Sequence, residues 1–128
     1  MTKILLLIAG GAIGTLARYG ISGLTHKVAE GVFPWGTLMV NLTGAFIIGL
    51  LWGLWETEKI SSNVRTFVFI GILGGYTTFS SYALETLNLF RDGETKLALI
   101  NILASNFLGL LLVFLGFIAA KGLISLIR

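Results

Sequence analysis

The sequence predicts an all-α membrane protein with four transmembrane helices, the third of which is broken in mid-membrane. Hydrophobic residues make up 55% of the chain and charged residues only 12%, with a mean hydropathy of +0.93. Four apolar runs are long enough to cross a hydrocarbon core ~30 Å thick. A single transmembrane domain of residues 1–128 is expected, with helices at about 4–24, 35–55, 65–90 and 97–120 and a break near 74–80.

The composition argues against several functional classes. The chain has no cysteine and a single histidine, His26, so disulfides, thiolate metal sites and imidazole clusters are not predicted. The net charge of +3 is spread over the ends of the segments and does not form a nucleic-acid patch. No nucleophile stands beside a base, so an enzyme is not predicted.

The first predicted helix follows Lys3 and begins like a signal peptide, but three more apolar spans favour a retained helix. Gly10 and Gly14 form a small-xxx-small pair that lets another helix approach closely. Arg18 follows on the same helix. It either extends its charge to the interface or supplies a fixed positive charge near a pore mouth.

The second predicted helix begins after Pro34, whose missing N–H costs nothing in the first turn. Trp35 and Trp55 are separated by ~30 Å along a helix and mark the two membrane interfaces. Asn41 lies between them. Its amide either joins helices together or points two N–H donors into a polar pathway.

The third span contains the stretch around which the chain is organised. Gly71, Gly74 and Gly75 fall within five residues, and Thr77 and Thr78 follow, so a continuous helix is disfavoured. Lipid cannot hydrogen-bond the freed backbone, which persists at membrane depth only where it is buried in protein or lines a wet or ionic site. The break is therefore the predicted functional site.

The remaining polar residues lie nearer the ends of the spans. Glu85 is close to the Arg91 end of the third span and is expected at a vestibule or interface. In the fourth span, Asn101, Ser105 and Asn106 cluster in the first half.

The charge balance does not select one orientation. The side with both termini carries five basic residues, and the other side carries three, or four with Arg18. Insertion both ways is compatible with an antiparallel, dual-topology homodimer. The basic residues counted are Lys3, Lys59, Arg65, Lys121 and Arg128 on one side, and Lys27, Arg91 and Lys96 on the other.

Three motifs, at residues 10–19, 36–41 and 74–80, together resemble those of the small bacterial fluoride channels of the CrcB or Fluc family, and the resemblance extends over nearly the whole chain. The resemblance implies an antiparallel homodimer with two pores that exports fluoride passively through the inner plasma membrane and so relieves fluoride toxicity. The motifs that carry it are Gly10-Gly11-Ala12-Ile13-Gly14 and Arg18-Tyr19, then Gly36-Thr37-Leu38-Met39-Val40-Asn41, then Gly74-Gly75-Tyr76-Thr77-Thr78-Phe79-Ser80.

A fluoride pathway requires strong donors, because fluoride is small and tightly hydrated. Amide and hydroxyl groups qualify, and the positive edge of an aromatic ring adds to them. The residues expected to line the pathway are Asn41, Thr37, Thr78, Ser80, Ser81, Phe79, Tyr82 and Ser105, with Arg18 at a mouth.

Two features depart from the family pattern. The family usually has phenylalanine where this chain has Tyr82, and the fourth helix often carries hydroxyl residues where this chain has Gly109 and Val113. Either Ser105, Asn106 and the Tyr82 hydroxyl supply the donors, or the pore is less active, or the chain is half of a heterodimer.

The resemblance also implies a structural sodium ion, held by the main-chain oxygens of Gly74 and Thr77. Residues 66–84 contain no carboxylate, and backbone oxygens suit a hard ion of low charge. Two antiparallel copies would place four carbonyls around one ion.

Two other classes are considered. A small dual-topology, proton-coupled exporter needs an acid in its first helix, whereas residues 1–24 contain no Asp or Glu. A non-conducting membrane scaffold would use Asn41 and the glycines for packing, but it leaves the helix break unexplained.

Overall fold

The computed structural model describes residues 1–29, 31–56 and 60–127, and within these residues it is all-helical without strands. Four helices are long and apolar enough to cross a membrane, which confirms the predicted class of a multi-pass, all-α membrane protein. Lys59 and Arg128, both used in the charge count, lie outside the described residues. The four spans are Thr2–Val28, Trp35–Trp55, Ser62–Arg91 and Thr95–Ile127.

The first and fourth helices extend beyond the predicted ranges of 4–24 and 97–120, while the second covers Trp35–Trp55. Residues 25–28, outside the predicted first helix, are therefore helical. Hydropathy marks the part of a helix that lies in lipid, whereas the backbone ladder continues into polar residues. His26 and Lys27 occupy the last turn, where positive charge interacts favourably with the helix dipole.

Glycines bring the helices together in two pairs. The first helix packs on the third span, and an added methyl group at Gly14 would overlap the Ile72 carbonyl oxygen. The second helix packs on the fourth span, where a methyl group at Gly49 would meet the Val113 carbonyl and one at Gly116 the Phe46 carbonyl. Only glycine permits backbones to approach this closely.

The third span is interrupted where the sequence predicts a break. Its helix runs to Tyr76, Thr77 and Thr78 are extended (φ −81°, ψ 155° and φ −147°, ψ 117°), and the helix resumes over Phe79–Arg91. Two π-helical segments, Thr66–Leu73 and Ala104–Leu108, were not predicted. Such turns widen the helix locally, and they are frequent at functional sites.

Candidate functional site: the helix break and two adjoining cavities

Asn41 bridges the break in the third span. Its Nδ2 donates to the Thr78 carbonyl oxygen (2.9 Å), and its Oδ1 accepts the Thr78 N–H (2.8 Å). One side chain thus satisfies both backbone groups of a residue that has left the helical ladder. Of the two amide hydrogens expected to face a pathway, one is used by the backbone and the other remains.

Thr78 also caps the helix that follows the break. Its Oγ1 accepts the Ser81 N–H (3.2 Å) and donates to Ser81 Oγ (3.0 Å), while the Ser80 hydroxyl lies 3.4 Å away. An extended threonine is a favoured N-cap because its oxygen replaces a missing helical acceptor. Helix Phe79–Arg91 therefore begins at the break. The N-terminus of a helix favours negative charge, and no acidic residue occupies the first turn of this helix.

The same contacts free the carbonyls of Gly74 and Thr77. In a continuous helix they would accept the N–H groups of Thr78 and Ser81, four residues further along. Those N–H groups donate instead to Asn41 Oδ1 and to Thr78 Oγ1. The break thus withdraws the helical donors from the two oxygens that the sequence analysis assigns to a cation.

A cavity of about 420 Å³ lies on one side of the break. Phe79 is 78% exposed in the single chain, and its ring lies 5.5 Å from that of Tyr82, between centroids, at 53°. Among the residues that the structure describes, none that lines this space is charged, and we call it the aromatic cavity. Its polar and aromatic lining comprises Asn41, Phe69, Thr77, Thr78, Phe79, Tyr82, Ser105 and Asn106.

Side chains of the fourth span contact Tyr82 and one another. Asn106 Nδ2 donates to Tyr82 Oη (3.1 Å) and to the Ile102 carbonyl (2.8 Å). Ser105 donates to Asn101 Oδ1 (3.4 Å). Asn101 is buried and donates to Thr86 (2.9 Å), which joins the third and fourth spans.

A second cavity, of about 430 Å³, lies on the other side of Thr78. Arg18, His26 and Glu85 line it, and we call it the charged cavity. The buried Thr37 hydroxyl donates to Glu85 Oε1 (2.7 Å). Glu85 Oε2 is buried and has no hydrogen-bond partner among the described residues. Glu85 thus faces a polar vestibule, in keeping with the position expected for it.

The predicted pathway residues divide between the two cavities. Thr78 lines both, and Ser80 lines neither. Val113 lines the aromatic cavity, whereas Gly109 does not. Those that line only the aromatic cavity are Asn41, Phe79, Tyr82 and Ser105, together with Gly74 and Thr77, and those that line only the charged cavity are Arg18, Thr37 and Ser81.

Sequence reasoning missed two hydrogen-bonded pairs that join neighbouring spans. The Tyr76 and Thr43 hydroxyls lie 2.7 Å apart across the second and third spans. The Thr86–Asn101 contact is the other pair. A threonine hydroxyl most often bonds to its own helix, so neither partner was signalled by residue type alone.

Known proteins with similar sequences identify the family of this chain. A family model described as "CrcB-like protein, Camphor Resistance (CrcB)" matches residues 5–117. The chain is 50% identical over 128 residues, all of both chains, to a protein of Parabacteroides distasonis named fluoride-specific ion channel FluC. Proteins of the same name from Salinibacter ruber (47% identity, 91% of this chain and 87% of the relative) and Thermus thermophilus (46%, 91% and 94%) are also similar.

Proposed function

The chain belongs to the CrcB family, and we propose that it is a fluoride-selective channel through which fluoride leaves the cytoplasm passively. It is thus a channel subunit and not an enzyme. The proton-coupled exporter and the scaffold are not favoured, because the relatives described above are named as fluoride channels. The observation that carries the proposal is the pair of hydrogen bonds between Asn41 and Thr78. They lie beside a cavity whose described lining includes aromatic rings and no charged side chain.

The chemistry of the aromatic cavity supports fluoride over larger anions. Fluoride accepts hydrogen bonds strongly, so amide and hydroxyl donors replace much of its hydration. Ring edges of Phe79 and Tyr82 carry partial positive charge and add to these donors without a fixed cation. An anion with no full charge to hold it is able to leave again, which conduction requires.

We further propose an antiparallel homodimer in the inner plasma membrane, with two pores. Phe79 is 78% exposed, although it stands at the break, so a second copy would supply the missing wall of the aromatic cavity. The balanced basic residues allow both orientations. Fluoride export through such pores would relieve fluoride toxicity.

The residues at the break fit a structural sodium ion. Gly74 and Thr77 have carbonyls without their helical donors, and Gly74 is exposed in the single chain. No group of three or more His, Asp or Glu residues able to hold a metal occurs among the described residues, so a divalent site is not supported. A bound cation would neutralise the carbonyl dipoles and fix the break.

The function is tested with purified protein in liposomes loaded with fluoride or chloride. We expect fluoride efflux that exceeds chloride efflux by orders of magnitude, because chloride is too large and too weak an acceptor for this path. Protein-free liposomes provide the control. Equal efflux of both anions, or no fluoride efflux, would overturn the proposal.

The cation is tested separately by exchange of all sodium for a bulky organic cation. Loss of efflux, restored by sodium, is expected. A high-resolution map at the Gly74 and Thr77 carbonyls is the second readout. Unchanged efflux after exchange, or water in place of the ion in that map, would overturn the proposed cation site without affecting the proposed channel function.

A further inference from the structure

The hydrogen-bond donors of the aromatic cavity are almost all engaged within the protein. Thr77 donates to the Leu73 carbonyl (2.9 Å), Thr78 to Ser81, and Asn41 uses one amide hydrogen on Thr78. An anion in this cavity therefore depends on the few hydrogens that remain. One of them is the second amide hydrogen of Asn41.

The fourth span contributes no free donor of its own to this cavity. Ser105 donates to Asn101, and both hydrogens of the Asn106 amide are directed at acceptors, Tyr82 Oη and the Ile102 carbonyl. Val113 lines the cavity with methyl groups alone. Ser105 is therefore the one hydroxyl residue of the fourth span in the described lining, and its hydrogen is already donated.

The hydroxyl of Tyr82, on the third span, is the exception among these engaged donors. The Ile102 carbonyl is an acceptor only, so the nitrogen of Asn106 faces it, and the same nitrogen donates to Tyr82 Oη. A phenol has one hydrogen, and because its oxygen accepts from Asn106, that hydrogen is directed away from Asn106. The Tyr82 ring lines the aromatic cavity beside Phe79.

We propose that the Tyr82 hydroxyl is an anion-binding donor in this chain, and that Asn106, which lies in the π-helical segment Ala104–Leu108, is the positioning residue that orients it. The proposal rests on the fluoride-channel function above. It assigns a distinct role to the tyrosine that stands where the resemblance implies phenylalanine, because its hydroxyl supplies a donor in a cavity where Val113 offers none.

Tyr82→Phe tests the donor, because it removes one hydroxyl and preserves the ring. We expect fluoride efflux to fall about tenfold, as for loss of one hydrogen bond to a charged group. Tyr76→Phe is the matched control: it removes a hydroxyl that contacts Thr43 and lines neither cavity, so efflux within about twofold of the parent is expected. A Tyr82→Phe protein as fast as the parent overturns this inference, whereas a parent that passes no fluoride overturns the proposed function instead.

A double-mutant cycle tests the positioning residue. Asn106→Leu is expected to reduce efflux severalfold when Tyr82 is present and to have no effect in the Tyr82→Phe background. A packing role for Asn106 would give the same loss in both backgrounds and would overturn the assignment.

Discussion

Two cavities of similar size meet at Thr78, and their linings differ in kind. The described lining of the aromatic cavity offers amides, hydroxyls and ring edges but no charged side chain, whereas Arg18, His26 and Glu85 line the charged cavity. Within the proposed channel, the contrast separates two tasks. The guanidinium of Arg18 attracts an anion from water over a distance, while neutral donors replace its hydration without holding it permanently.

The contrast between the two cavities predicts that changes in the aromatic cavity strongly reduce or stop transport. Changes in the charged cavity should only alter the rate of transport. The largest effect is expected for Phe79→Ile, which removes a ring edge at similar volume. Fluoride efflux should fall to the level of protein-free liposomes. The dimer should remain intact by size-exclusion chromatography, because the side chain stays apolar.

Phe107→Ile is the control for this change. Phe107 is 69% exposed, similar to Phe79, but it lies on the fourth span and lines neither cavity. Its replacement should leave efflux unchanged. Full transport by Phe79→Ile would show that Phe79 serves only in packing and would contradict the proposed difference between the cavities.

A smaller but still severe effect is expected for Asn41→Leu. The change leaves the Thr78 N–H and carbonyl without their partner, at a cost of about 1–3 kcal/mol for each unsatisfied group. Both the thermal unfolding temperature in detergent and fluoride efflux should fall. Asn88→Leu, at an exposed asparagine of the third span, should change neither. A stable, fully active Asn41→Leu protein would contradict the bridge.

The smallest effect is expected in the charged cavity. Arg18→Gln should slow fluoride efflux only severalfold at low salt, and the difference should shrink as ionic strength rises, because long-range attraction is screened within about 10 Å at 0.1 M salt. The ratio of fluoride to chloride efflux should not change. Arg18→Lys, which keeps the charge, should resemble the parent. A loss of selectivity in Arg18→Gln would place Arg18 in the selective part of the path.

Much of the fold could be predicted from residue types. Pro34 and Trp55 give the bounds of the second helix, and the glycines and threonines between 71 and 78 predict the interruption of the third span. The outer ends of the first and fourth helices were missed, because hydropathy records the lipid boundary and not the end of the hydrogen-bond ladder.

The remaining features depend on contacts between distant parts of the chain. The amide of Asn41 indicated that a partner was needed, but that partner is the backbone of Thr78, 37 residues away, and is fixed only by helix packing. The π-helical segment Thr66–Leu73 contains β-branched and aromatic residues, leucine and Gly71, all of which also occur in regular transmembrane helices, so the composition does not mark it. The roles of individual pathway residues stay predictions until transport is measured.

The bonds around Thr78 also determine how the break responds to motion. A break in a helix often serves as a hinge, but here Thr77 N–H donates to the Leu73 carbonyl, Asn41 holds Thr78 from both sides, and Ser81 N–H is fixed by the Thr78 hydroxyl. Bending at this point would break several of these bonds at once. The interruption is therefore a stiff joint, and amide exchange at Thr78 and Ser81 should be as slow as in the flanking helices. If the proposed path passes this joint, the joint would not act as a hinged gate, and flow past it would follow the ion gradient.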